Sequence, residues 1–118
     1  MKGLLLDTES NVLRRVEVCE LQDYYDEMHC SCIDTVCINF NGYRLAIICD
    51  DEALLLINGK IPVPAVIIQD RNVVIYNSVI FAVMQPGCDD FCDLPEDLEL
   101  AIQHRLSHLD DGKLIVKL

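Results

Sequence analysis

No stretch of the 118 residues approaches the roughly 20 consecutive apolar residues that a membrane-spanning helix requires. The first residues, Met1-Lys2-Gly3-Leu4-Leu5-Leu6-Asp7, hold one cationic side chain and a run of leucines. That falls short of the roughly 7–15-residue apolar core and small-residue cleavage site of a secretory signal. These absences predict a cytoplasmic protein without membrane contact. Glycine-rich phosphate loops, the nucleophile-elbow glycine pattern and Cys-x-x-Cys pairs are also missing. The best-defined routes to nucleotide hydrolysis, serine-type hydrolysis and structural zinc are therefore unsupported. Neither a catalytic residue nor a cofactor is expected.

Positive charge is scarce too. Nine Lys and Arg stand against 20 Asp and Glu, a net charge of −11 at neutral pH. Lys and Arg contacts to phosphate dominate nucleic-acid affinity, so direct nucleic-acid binding is not expected. The electrostatic preference is for basic surfaces, which include the nucleic-acid channels of other proteins.

What is present suffices for one core. The length is near the commonest domain size, and 52% of the residues are hydrophobic. Seven cysteines, an odd number, read as reduced thiols that act as small hydrophobes. Cys37 and Cys49 lie inside apolar strand patterns.

The pattern predicts an α+β fold: a mostly antiparallel, curled sheet of about six to eight strands, one short helix and a C-terminal amphipathic helix. Lys2–Asp7 and the alternating Val12–Val18 read as a hairpin. Leu21, Tyr24, Tyr25 and Met28 recur at i, i+3, i+4 and i+7, the stripe of a short helix that must pack on the sheet. Ile33–Phe40 and Tyr43–Cys49 flank Asn41-Gly42, the pair suited to a type I′ hairpin turn. Pro62 and Pro64 predict an extended stretch kept out of a central ladder. Val66–Ile68, Val73–Tyr76 and Ser78–Met84 read as strands. Leu94, Leu98, Ala101, Ile102, Leu106 and Leu109 predict one long helix that Asp93 can cap and Gly112 stops, with a last strand at Lys113–Leu118.

Over residues 1–108 the chain resembles a small phage- and mobile-element-borne domain of unknown function often encoded near antirestriction proteins. The likeness rests on three features. One is the strand ending in an acidic turn, Leu45 to Ala53. The second is the Pro-containing stretch Ile61–Ala65 before the late strand Val79–Val83. The third is the acidic-aromatic run Asp89–Asp97 that leads into the C-terminal helix. The resemblance implies a mobile-element setting, where small proteins commonly block host defences, and it transfers no catalytic residue.

Several constellations carry possible chemistry. His29-Cys30-Ser31-Cys32 with Cys37 is the best metal candidate, with Cys88 and Cys92 as a second pair, but one-residue spacing strains a tetrahedral site and plain packing is preferred. His104 and His108 stand at i, i+4 on the predicted helix. Arg14, Arg15, Arg44 and Arg71 could line a nucleotide-signal pocket between protomers. The densest feature is acidic: Asp89, Asp90, Asp93, Glu96, Asp97 and Glu99 are interrupted by apolar Phe91 and Leu94. Dipole compensation explains part of this run. The functional reading makes Asp89, Asp90, Phe91, Asp93, Glu96 and Asp97 a surface for a basic partner, followed by Asp50, Asp51 and Glu52. The expected activity is non-enzymatic: obstruction of a host defence protein, such as a nucleic-acid-handling nuclease, by presenting acid in place of phosphate. Exposed strand edges allow a homodimer.

Overall fold

The computed structural model describes residues 1–55, 61–84 and 90–118. Strands β1 (Lys2–Asp7) and β2 (Val12–Glu17) form the first hairpin, followed by helix α1 (Leu21–Met28). A second hairpin joins β3 (Ile33–Phe40) to β4 (Tyr43–Asp50) through Asn41 and Gly42, whose φ angles of 54° and 82° are those of a type I′ turn. Then come β5 (Pro64–Ile68), β6 (Val73–Tyr76), β7 (Val79–Met84), the short β8 (Phe91–Cys92), α2 (Glu96–Gln103), β9 (Leu106–His108) and β10 (Leu114–Lys117).

The fold is α+β, and its ten strands among the described residues divide between two sheets rather than one. The six-stranded sheet runs β2-β1-β7-β4-β3, with β8 also on β7. The four-stranded sheet runs β6-β5-β10-β9. All pairs are antiparallel except β5 with β10.

Burial explains the split. Leu4-Leu5-Leu6, Leu45 to Ile48 and Val79 to Ala82 are fully buried apolar runs, so the large sheet is covered on both faces. On one face Leu4, Leu6, Leu45, Ile47 and Phe81 meet the small sheet, through Val66, Ile68 and Val116, and α2, through Leu98 and Ile102. On the other, Leu5, Ile48, Ile80 and Ala82 meet Met28 and Tyr24 of α1. Leu21, the first residue of the predicted stripe, is instead 55% exposed. Asp23 holds the start of α1, its Oδ2 accepting the N–H groups of Cys19 and Glu20 at 2.7 and 2.9 Å.

Three local expectations are corrected. The C-terminal helix ends at Gln103, because Leu106 to His108 pair with Leu114 to Val116 and tertiary pairing outweighs the helical pattern. Gly112, at φ 84°, therefore serves the β9–β10 turn instead of stopping a helix. Asp93 does not cap α2, since its Oδ1 accepts the Lys2 N–H at 2.8 Å. Pro64 stands in a strand that does have neighbours on both sides. It is tolerated because it is the first residue of β5, where the register shifts between Pro64 and Val66.

Candidate functional site at one end of the large sheet

Antiparallel pairing brings the ends of β1 and β4 beside the start of β7, with Leu6 opposite Val79 and Ile48 opposite Ile80. At this end the β1–β2 turn, the end of α1, the turn after β4 and the β6–β7 turn surround a cleft of about 180 Å³. Its polar lining includes Glu9, His29, Asp50, Glu52, Asn77 and Ser78. The volume is below the roughly 300–1,000 Å³ of pockets that enclose drug-sized molecules.

The turns are held by hydrogen bonds. Buried Ser78 accepts the Thr8 N–H at 3.0 Å, and the two hydroxyl oxygens lie 3.3 Å apart. Asn77, at φ 67°, donates its N–H to Val63 O at 2.7 Å, and its Oδ1 accepts the Val63 N–H at 3.1 Å. His29, at φ 54°, ends α1, and its Nε2 lies 3.7 Å from Glu9 Oε2.

Here two motifs that are separate in sequence meet. The Asp51 N–H donates to Cys32 O at 3.1 Å, joining the acidic turn to the His29–Cys32 segment. Asp50 Oδ1 accepts the Glu52 N–H at 2.9 Å and shapes the turn. The juxtaposition decides the thiol chemistry. Burial, then the charge of Asp50, pushes the Cys30 thiol up to about 11. A hydrogen bond to Glu52, then burial, raises that of Cys32. Cys49 is pushed up to about 11 by burial and by Asp34. Each shift favours the neutral thiol over the nucleophilic thiolate. Cys37 is half-buried among the residues packed beneath α1. No group of three or more His, Cys, Asp or Glu side chains suited to a metal ion occurs among the described residues. Cys88 lies outside them. The i, i+4 histidine pair is dissolved by the end of the helix, as His104 caps α2 and His108 belongs to β9.

Apolar side chains stand beside the acids. Leu54 and Leu55, in the 3₁₀ turn after Glu52, are 65% and 66% exposed, and Ile61 is 83% exposed. Ile61 lines the cleft with Asp50 and Glu52.

The second acidic run occupies the opposite end of the sheet, where Phe91 pairs with Met84 at the far end of β7. Three of its five described acids are engaged internally. Asp93 holds the Lys2 N–H, Asp97 accepts the Tyr43 hydroxyl at 2.9 Å, and Glu99 pairs with Arg15 at 2.7 Å. Phe91 is half-buried with its ring centroid 6.2 Å from that of Tyr24. Asp90, Asp93, Glu96 and Asp97 are all exposed, Asp90 and Glu96 without a hydrogen bond of this kind, and Asp89 lies outside the described residues.

Within one chain the arginines do not gather. Arg14 pairs with Glu27 of α1, and Arg15, adjacent in the strand and thus on the other face, pairs with Glu99 of α2. Arg44 bonds Asn39 at 3.4 Å, and Arg71 follows β5 in the small sheet. An open groove of about 550 Å³ lined by Lys2 and Arg15 is also lined by Glu17, Glu96 and Glu99. Its carboxylates outnumber its cations, which disfavours a phosphate.

The association of Cys32 with Asp51 could have been counted from the sequence. In a hairpin turning at Asn41-Gly42, partner numbers sum to 83. Glu9, Asn77 and Ser78 gave no such signal, because the pairing of β7 with β1 and β4 is long-range.

A family described as a domain of unknown function, DUF3846, matches residues 1–107, and the chain belongs to it. No curated protein and no solved structure matches the chain.

Proposed function

We propose that this member of the DUF3846 family acts by binding, not catalysis, and takes a basic protein surface onto the end of its large sheet formed by Asp50, Asp51 and Glu52. The observation that carries the reading is the placement of exposed Leu54, Leu55 and Ile61 directly beside those acids. Protein interfaces combine an apolar centre with a polar rim, and charge complementarity steers the encounter. The run at the opposite end offers Asp90 and Glu96 as a second, weaker contact.

The mobile-element setting implied by the resemblance makes a host defence protein the partner class. A nucleic-acid-handling nuclease fits, because its basic channel would accept carboxylates where it ordinarily takes phosphates. The two meet in the host cytoplasm on this reading.

The test is a tagged pull-down from bacterial lysate at low and at moderate salt. A nucleic-acid-binding protein held at low salt, released at moderate salt, and lost on neutralising Asp50, Asp51 and Glu52 to their amides supports the proposal. Capture that ignores both salt and the substitutions contradicts it.

A further inference from the structure

Strand β3 is an outer strand of the large sheet, and its only sheet neighbour among the described residues is β4. It has 8 residues, paired without a register shift from Ile33 opposite Asp50 to Phe40 opposite Tyr43. Unguarded edges pair with other chains, so proteins ordinarily blunt them with lysine, proline, bulges or shortness. β3 has none of these, and its one charged side chain is Asp34. The remaining outer strands differ: β2 carries Arg14, Arg15 and Glu17, while β6, β9 and β8 have only 4, 3 and 2 residues.

The register shows which groups face outward. Phe40 and Tyr43 flank a two-residue turn and exchange hydrogen bonds, and bonding alternates along the ladder from there. Even-numbered residues therefore bond β4, as Cys32 O does in accepting the Asp51 N–H just beyond the strand. Ile33, Thr35, Cys37 and Asn39 turn their N–H and C=O groups away from the sheet. In keeping with this, the Thr35 N–H donates to its neighbour's side chain, Asp34 Oδ1, at 2.8 Å.

We propose that a second copy of this chain pairs with this edge, β3 against β3 and antiparallel, about a two-fold axis at Val36. Ile33 then lies opposite Asn39 of the second copy and Thr35 opposite Cys37. All four outward residues of each chain are used, giving about eight inter-chain hydrogen bonds. The charge along the edge selects this occupant. Asp34, Asp50 and Asp51 stand at one end of β3. At the other stand Arg44, opposite Asn39, and Arg105, whose guanidinium lies 5.5 Å from the Phe40 ring centroid. Antiparallel self-pairing lays each acidic end against a cationic end, twice. Asp34 shares a face with Phe40, so on releasing the Thr35 N–H it meets Arg105 of the second copy. The pairing must still outweigh the repulsion between two chains of net charge −11. An extended segment of a basic partner is the rival occupant.

Sedimentation equilibrium of the whole reduced chain tests this over rising concentration. The expected mass approaches twice 13.4 kDa. Thr35→Lys, which puts a charge on the edge, returns it to the single-chain value. Arg105→Glu weakens the dimer by about tenfold or more, and adding Asp34→Arg to Arg105→Glu restores it. The charge reversal and its rescue decide the matter even if Thr35→Lys fails to fold. A wild-type chain of 13.4 kDa at every concentration overturns the proposal, as does a dimer indifferent to the charge reversal.

Discussion

The two ends of the large sheet are both rich in acid, yet they use it differently. At the end formed by β8 and α2, Asp93, Asp97 and Glu99 hold a backbone N–H, a tyrosine hydroxyl and an arginine, and Leu98 is buried completely. At the other end Asp50 and Glu52 are engaged as well, with the Glu52 N–H and with Cys32, but Asp51 is exposed and the turn leads directly into Leu54 and Leu55, which protrude. The lesson is that the density of charge along a chain does not measure the charge it can offer. A carboxylate already engaged within the fold must give up that contact before it can serve a partner.

The largest expected difference between the ends concerns leucine. Leu98→Ala should lower unfolding free energy by roughly 2–5 kcal/mol, because it empties a packed site. Leu54→Ala or Leu55→Ala should leave stability within about 0.5 kcal/mol while weakening partner capture. Urea titration checks the first effect, and comparable losses from all three would erase the distinction. Next in size is charge. Neutralising Asp50, Asp51 and Glu52 together should reduce capture of a basic partner by about tenfold or more, against a smaller loss for Asp90→Asn with Glu96→Gln. Quantitative pull-down separates the two, and the reverse ranking would move the site to the other end.

A smaller effect concerns the engaged acids. Glu99→Ala should cost about 1 kcal/mol, since the Arg15 side of the pair is largely in water. Asp51→Ala should stay within about 0.5 kcal/mol in the same denaturation assay. The smallest effect is one of pH, and it qualifies the comparison, because Asp7, like Asp50, shapes a turn at the cleft end. Burial pushes the Asp7 carboxyl up, but hydrogen bonds from the Ser10 side chain and from the Ser10 and Glu9 N–H groups outweigh it and hold it below its usual 3.8. A carboxyl depressed in the folded state contributes stability above its unfolded value, and that contribution disappears as pH falls through the folded one. Thermal unfolding between pH 5 and pH 2 should show the acid-side loss, and Asp7→Asn should flatten part of it. An unchanged profile would mean that the Asp7 turn adds nothing.

Local periodicity made much of this fold legible. The hairpin at Asn41-Gly42, the strands on either side of it and the two-turn helix over Leu21 to Met28 need only neighbouring residues to specify them. Long-range pairing was less visible. Leu106 and Leu109 continue a helical stripe in sequence, but Leu106 instead pairs with Val116 in a strand. Likewise, Cys49 and Ile48 are neighbours in β4 yet serve different faces of the sheet, and no local pattern announces the small sheet that covers one of them. For the same reason the acidic turn was visible, whereas the Asn77 and Ser78 turn beside it was not. Exposure of Leu54 and Leu55 also needs the fold, since an apolar triplet in sequence reads equally well as core.

In the function proposed above, a partner sits on the end of the sheet that joins acid to exposed leucine. Hydrogen–deuterium exchange of the captured complex, compared with the chain alone, tests it most directly. Exchange should slow at Asp51 to Leu55 and at Ile61, with little change from Asp93 to Asp97. Protection confined to Asp90 to Asp97, with the Asp51 to Leu55 turn exchanging as in the isolated chain, would contradict it.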